Sequence, residues 1–378
     1  MSLDNLRDDI ATKQKKGLPF IMASVVVWIF ITVIATLNID INLKNLLVFC
    51  CSIPMLPLAW LIGKKMKVDI FSNEEGFISI KIPAGKMQKL LYIMFKLPFI
   101  LMKIKSGVIV VQFPTGTWTV LELITRCIKK LSGAKLVYII HDIETLRYWS
   151  ESDNNRKKEI ELRLLKRADG IISLNVKMTE WLRSKGVKAP IENMRIWDYN
   201  NPQSARKMEE YNRTVGLAGN LDKVQFLKKI PSDINIYIYG PNKESNYPDN
   251  VKYVGNFSPD LLPLKIKESF GLVWDGDEIN TCSGPLGNYL KYNNPHKLSM
   301  YLSSGIPVVI WSKAATAEFV KNARVGILID DLNNLNTKLN NISENEYKIM
   351  CSNAVNLSKK MRKGYFLKTA LQSLIKQL

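Results

Sequence analysis

The sequence reads as an α/β protein, two domains with parallel sheets behind an N-terminal pair of membrane-spanning helices. Three observations carry this reading. From Val108 onward, short β-branched runs alternate with helical stretches, the rhythm of a parallel sheet with helical crossovers. Two such series occur, separated by a polar stretch around Pro202, residues 200–212. Ahead of both, residues 18–38 and 45–63 contain no charged side chain, and each run is about long enough to cross a bilayer core as a helix.

Residues 1–17 are polar and end in Lys13, Lys15 and Lys16, while Lys64, Lys65 and Lys67 follow the second uncharged run. Lysines at the outer ends place both ends of the hairpin in the cytoplasm, with the short link 39–44 outside. A cleaved signal peptide is disfavoured by the second run, and a buried core hairpin by the length of both. The hairpin region is 1–74, and its sequence resembles a small family of bacterial membrane proteins of unknown function.

Residues 81–105 carry six lysines and no acid around Leu90, Leu91, Ile93, Met94 and Phe95, with Pro98 interrupting. Such a segment suits an anionic membrane surface, or equally an ordinary solvated helix. The first domain, 75–200, then has strands at 108–112, 135–140 and 170–174. Helices are expected at 118–131, 159–168 and 176–185. Pro114 stops the first strand, so Gln112, Phe113 and Thr115 lie at a strand's C-terminal edge, where ligands of open α/β sheets bind. The next strand delivers His141 and Asp142 to the same edge. His141 has the chemistry of a general base or a hydroxyl partner, with Asp142 to orient it; a pair that merely caps the next helix fits as well.

The second domain, 201–342, begins with strand 214–217 and the turn Gly219-Asn-Leu-Asp-Lys223. Gly219 permits close backbone approach, and Lys223 is placed to meet a phosphate beside Asn220. Strands follow at 234–239 and 251–254, the latter carrying Tyr253, and a helix is expected at 260–269. The central stretch is Phe270-Gly-Leu-Val-Trp-Asp-Gly-Asp277 with Tyr289-Leu-Lys-Tyr-Asn-Asn-Pro-His-Lys297. Pro295 suits a helix start, whose free N–H groups and dipole form a phosphate site, and Lys297 adds a full charge. A strand at 306–311 and Glu318 on the next helix complete the pattern of a nucleotide site with an acid for the ribose. A loop with a capped helix accounts for each residue singly. Residues 343–378 are expected to be helical.

These residues also carry a resemblance. Gln112-Phe-Pro-Thr115, His141-Asp-Ile-Glu144, Trp197-Asp-Tyr199, Ala218-Gly-Asn-Leu221, Gly271-Leu-Val-Trp-Asp-Gly276, Tyr289 to Lys297 and Ser304-Gly-Ile-Pro307 recur in order. Residues 108–331 thereby resemble the bacterial β-1,6-galactofuranosyltransferases, a family similar to the adhesin glucosyltransferases. The resemblance implies a GT-B fold of two Rossmann-like domains, a last helix that crosses back onto the first domain, and metal-independent transfer in the cleft. It implies a UDP-sugar donor, with galactofuranose or glucose as the hexose and a glycan or glycoconjugate as acceptor. The nucleotide-sugar candidates are Asn220, Lys223, Tyr253, Trp274, Asp275, Tyr292, Asn293, Asn294, Pro295, His296, Lys297 and Glu318. The catalytic candidates are His141 and Asp142, with Gln112, Phe113 and Thr115 on the acceptor side. The opening strand–loop–helix unit of the fold reads as shortened, because only residues 76–82 and the lysine-rich segment precede Val108. A non-catalytic nucleotide-sugar-binding partner of another transferase is therefore the alternative reading.

Composition narrows the classes. A net charge of +19, from 53 basic and 34 acidic residues, calls for an anionic partner. Much of that charge flanks apolar runs, where lipid is a simpler partner than nucleic acid. There is no G-x-x-x-x-G-K-[ST] and no G-x-G-x-x-G, so kinase and dehydrogenase readings have no anchor. Asp275-Gly-Asp277 matches a metal-binding D-x-D, a weak signal that competes with the metal-independent reading. No resident cofactor or metal is expected. Five scattered cysteines and two histidines fit reduced thiols in the cytoplasm, with the catalytic domains on that face of the cell membrane. A homo-oligomer is compatible with this organisation.

Overall fold

The computed structural model describes residues 70–72, 78–80, 85–115, 117–148, 155–206 and 210–378. The uncharged runs 18–38 and 45–63 lie outside these residues. Among the described residues no helix is long and apolar enough to cross a membrane.

The chain divides into two compact units, residues 1–105 with 130–133, and the remainder. In the first, β1 (Ile70–Ser72) and β2 (Ile78–Ile80) pair antiparallel, with Phe71 opposite Ser79. Helix α1 (Lys86–Leu91) runs through a π turn, Tyr92–Lys96, into α2 (Leu97–Lys103). Pro98 was expected to interrupt this segment. It sits instead at the start of α2, directly after the wider π turn. Tyr92, Ile93, Leu97 and Leu101 are buried, while Phe99 and Met102 are exposed.

The second unit holds two parallel sheets. The first contains β3 (Val108–Phe113), β4 (Lys135–Ile140), β5 (Gly170–Ser173) and β6 (Ile191–Asn193), in that order. Its helices are α3 (Trp118–Leu131), α4 (Glu144–Arg147), α5 (Asn155–Lys166) and α6 (Val176–Ser184). β4 is buried from Leu136 to Ile140, as a strand covered on both faces should be. Asn175 caps α6 by accepting the Met178 N–H at 3.0 Å.

The second sheet has six strands: β7 (Val215–Ala218), β8 (Ile236–Tyr239), β9 (Val251–Gly255), β10 (Phe270–Val273), β11 (Val308–Trp311) and β12 (Gly326–Ile329). Their order is β12-β11-β10-β7-β8-β9. The direction of winding reverses between β7 and β10, so the ligand crevice belongs at the C-terminal ends of these two strands. Here α7 (Leu262–Lys265) replaces the longer helix expected over 260–269. Pro263 is tolerated in its first turn, but Ile266 leaves the helix to be buried, and Glu268 turns inward to accept from the Tyr239 hydroxyl at 3.0 Å. Next come α8 (Gly284–Tyr289), α9 (His296–Ser303), α10 (Ala317–Ala323) and α11 (Leu335–Asn340). α9 lies directly on β10 because Gly271 has no Cβ; one built there would sit 2.3 Å from the Tyr301 ring.

The tail forms α12 (Glu344–Met361), started by a Ser343–Glu346 capping box, and α13 (Tyr365–Ile375). α13 packs on β5 and β6 of the first sheet. Asp198 accepts its Phe366 and Leu367 N–H groups at 3.1 and 2.7 Å, and Ser373 bonds Glu192 at 3.0 Å. The tail thus crosses back onto the first domain. The linker is held too: Asn201 Nδ2 reaches Ser304 Oγ at 3.0 Å, and Arg362 bonds the Asn201 carbonyl at 2.6 Å.

Candidate active site

The C-terminal edges of both sheets meet around one indole. The Trp197 ring stacks on His141 with centroids 4.7 Å apart, and on His296 with centroids 5.2 Å apart. His141 arrives at the end of β4 and His296 opens α9, so the two histidines of the chain come from opposite domains. Burial lowers the pKa of each, with the neighbouring His296 as a further cause for His141 and Asp142 opposing in both. Near neutral pH the rings are therefore uncharged. His141 Nε2 meets Gln112 Oε1. The tautomer that fits this contact carries its proton on Nε2 and keeps the Nδ1 lone pair available.

Asp142 does not orient His141. Among the described residues no hydrogen bond joins the two side chains. Asp142 accepts from Arg147 Nη1 at 2.8 Å and from the Tyr289 hydroxyl at 3.1 Å. The same hydroxyl accepts the Ile143 N–H at 3.0 Å. Tyr289 belongs to the second domain, so α8 grips the His141–Ile143 turn from across the cleft. The orienting partner of His141 is Gln112. Of its neighbours on β3 and beyond, Thr115 is exposed, whereas Phe113 is fully buried between Trp118 and Tyr138 and belongs to the core.

In the second sheet, the turn after β10 passes Gly276, whose φ of +113° favours glycine, and whose N–H bonds the Lys223 carbonyl at 2.9 Å. The ends of β7 and β10 are thereby joined at the point where the sheet reverses. Lys223 is half-buried, and its ammonium has no bonded partner among the described residues. Asn220 accepts the Asp222 N–H at 3.1 Å and the Asn242 side chain at 2.8 Å. Tyr253 sits under Lys243, 4.9 Å from its ring centroid. Lys297 was expected as a free cation one turn into α9. It lies in the first turn, and its ammonium is bonded to Asp275 at 2.6 Å and to the Trp274 carbonyl at 3.0 Å. Trp274 itself has no exposed surface; it packs between Phe226 and Trp311 and donates to the Glu278 carbonyl. It supports the turn from beneath and is out of reach of a ligand.

The Tyr292–Pro295 turn is locked to the first domain. Asn175 Nδ2 donates to the Tyr292 carbonyl at 2.8 Å and to Asn294 Oδ1 at 2.9 Å. Asn294 Nδ2 donates to the Leu174 carbonyl at 2.7 Å. Both amides are buried; Asn175 donates both N–H groups, and Asn294 is bonded at its oxygen and at one of its two N–H groups, so it holds the turn's shape. Asn293 Oδ1 is the opposite case: a buried acceptor with no partner among the described residues. Pro295 is buried at the N-cap of α9, where no side chain caps the first turn. Glu318 is exposed in the first turn of α10. Among the described residues no cluster of three or more His, Cys, Asp or Glu is arranged to hold a metal.

Sequence comparison agrees with this geometry. The model of the glucosyltransferase 3-like C-terminal domain matches residues 215–374, and that of the N-terminal domain residues 61–196. A family of unknown function matches residues 3–117. The β-1,6-galactofuranosyltransferase WbbI of Escherichia coli (strain K12) is 32% identical over 325 residues, covering 84% of this chain and 94% of the relative. Glucosyltransferase 3 of Streptococcus gordonii is 30% identical over 272 residues, covering 69% and 78%. The chain belongs to this glucosyltransferase 3-like family of glycosyltransferases. The sucrose-phosphate synthase of Thermosynechococcus elongatus superposes with a TM-score of 0.54 at 12% identity, over 83% of this chain and 86% of that one; this likeness shows the two-domain GT-B fold. In this glycosyltransferase the N-terminal family match begins well ahead of β3, so the stretch before Val108 lies within the family's own domain.

Arg147, Asn175 and Glu161 were not among the sequence candidates, and Tyr289 was named only as the first residue of a motif. The cross-domain contacts of Tyr289 and Asn175 leave no local pattern. Glu161 did leave one: it shares the inward face of α5 with Leu164 and Leu165 at helical spacing, and is itself fully buried.

Proposed function

We propose that this glycosyltransferase moves a hexosyl residue, galactofuranose or glucose, from a UDP-sugar to a glycan or glycoconjugate acceptor. The observation that carries the reading is the stacking of His141, from the end of β4, and His296, from the start of α9, on the one ring of Trp197. An acceptor-side base and a donor-side helix start are thereby brought to one cleft. The names of the relatives supply the two candidate sugars.

In this reading the diphosphate lies at the C-terminal ends of β7 and β10. The uncapped N–H groups of α9 and the Lys223 ammonium take up the charge that develops on it as the sugar leaves. Asn293 Oδ1 is a waiting acceptor for a hydroxyl of the nucleotide sugar, and Tyr292, Tyr253 and Glu318 border the nucleotide. His141 meets the acceptor hydroxyl through Nδ1, with Gln112 and Thr115 on the same rim. Lys297 Nζ already pairs with Asp275 Oδ1, placing a fixed positive charge beside the turn, which supports transfer without a metal. The uncharged runs 18–38 and 45–63 and the lysines around them support a place at the cytoplasmic face of the cell membrane.

The test is UDP release from a panel of UDP-hexoses in the presence of EDTA, run on carbonate-washed membranes and on the soluble fraction. Turnover of UDP-galactofuranose or UDP-glucose in the membrane fraction is expected. A strict requirement for Mn²⁺ would make Asp275 and Asp277 ligands. Activity confined to the soluble fraction would remove the membrane anchor.

A further inference from the structure

The Glu161 carboxylate lies on α5 with no exposed surface and outside the chemistry assigned above. Its Oε1 accepts the Glu144 N–H and its Oε2 the Thr145 N–H, both at 2.8 Å. Among the described residues no lysine or arginine bonds it. Burying a carboxylate without a countercharge is costly, and burial pushes this one up to about 7. An apolar side chain would fill the same space at no such cost. What the carboxylate alone provides is two acceptors side by side; a glutamine has one.

The two N–H groups it holds open α4, the single helical turn that follows His141-Asp142-Ile143. α4 ends in Arg147, which bonds Asp142 at 2.8 Å. The turn bearing His141 is therefore fixed at three points: Gln112 at the ring, Tyr289 at Asp142 and Ile143, and Glu161 through α4. Gln112 is exposed, whereas Glu161 holds the turn from within the core.

We propose that Glu161 is the positioning residue of the His141–Asp142 turn, its buried carboxylate clamping two backbone N–H groups so that the His141 ring stays stacked on Trp197 and aimed at the acceptor. The catalytic consequence rests on His141 being the acceptor-side group; the clamp itself does not.

Two histidines in the chain make the test clean. The imidazole signals of the full-length, ¹⁵N-histidine-labelled protein are titrated by NMR, with His296→Asn to assign them. In the parent both midpoints should lie below the ordinary 6.5. In Glu161→Ala the His141 midpoint should rise toward 6.5 as the ring loses its burial, with a smaller move for His296. Glu161→Gln, which keeps one acceptor and the side-chain volume, should move it part of the way, and it carries the test if the alanine variant fails to fold. A folded variant with an unchanged His141 titration would overturn the clamp and leave Glu161 as a core anchor. Turnover of the UDP-hexose should fall about 10- to 100-fold with little change in KM, the mark of lost alignment. If the His141 signal shifts while turnover holds, the clamp stands and it is the acceptor-side reading of His141 that fails.

Discussion

Lys297→Ala should destabilise the protein by about 2–4 kcal/mol, measured by chemical denaturation. The ammonium is bonded to Asp275 at 2.6 Å and to the Trp274 carbonyl at 3.0 Å, and both side chains of the pair are 14% exposed. Removing it strands a largely buried carboxylate beside the turn at the head of β10. That loss exceeds what the pair contributes relative to an apolar replacement. Two further variants separate these effects. Lys297→Met with Asp275→Leu should recover most of the stability, because no charge is left unpaired. Lys297→Arg should recover part, since a planar guanidinium does not fit a site shaped for one compact charge. A single alanine variant as stable as the parent would show that the pair is a solvated surface contact. UDP affinity should fall with the alanine change as well, through the distorted Asp275–Gly276 turn.

Asn175→Asp should be nearly as damaging and should weaken UDP binding although Asn175 lies in the first domain. The amide donates to the Tyr292 carbonyl and to Asn294 Oδ1; a carboxylate in its place would face both oxygens in a buried setting. A loss of about 3 kcal/mol is expected for the aspartate, and about 2 kcal/mol for Asn175→Ala, which also removes the cap of α6. Asn175 and Asn294 belong to one network, so the double alanine variant should cost less than the two single changes added. Full additivity in a double-mutant cycle would mean that the two amides act independently. An unchanged UDP affinity in a folded Asn175→Asp protein would mean that the turn keeps its shape without the first domain.

Much of the fold was legible because its signals are local. α3 and β4 have the bounds expected from an amphipathic stretch followed by a β-branched one. β6 and β12 were not anticipated. β6 is Ile-Glu-Asn at the edge of its sheet, and β12 is the half-exposed edge of the other, so neither shows the apolar run of a central strand. The short α7 was overread because 260–269 has helical composition, while burial of Ile266 and Glu268 decides otherwise.

For the site, His141, His296 and Lys223 were visible as polar residues at strand and helix ends. Trp274 and Phe113 were misplaced for one reason. Each lies where its strand ends, and a motif gives no sign of whether such a ring turns into the core or toward the cleft. The pairing of Lys297 was equally hidden, since its partner Asp275 is 22 residues away in sequence. Cross-domain grips such as Tyr289 on Asp142 exist only once both sheets are folded.

The diphosphate of the donor is expected where β7 and β10 diverge, beside Lys223. Calorimetry on the full chain and on Lys223→Ala, with UDP and with uridine as ligands, tests it most directly. Losing a charge-assisted hydrogen bond of about 1.5–3 kcal/mol should weaken UDP binding by about 10- to 150-fold. Uridine, which has no phosphate, should bind both proteins equally. UDP affinity unchanged by the substitution, or equal losses for UDP and uridine, would contradict the placement.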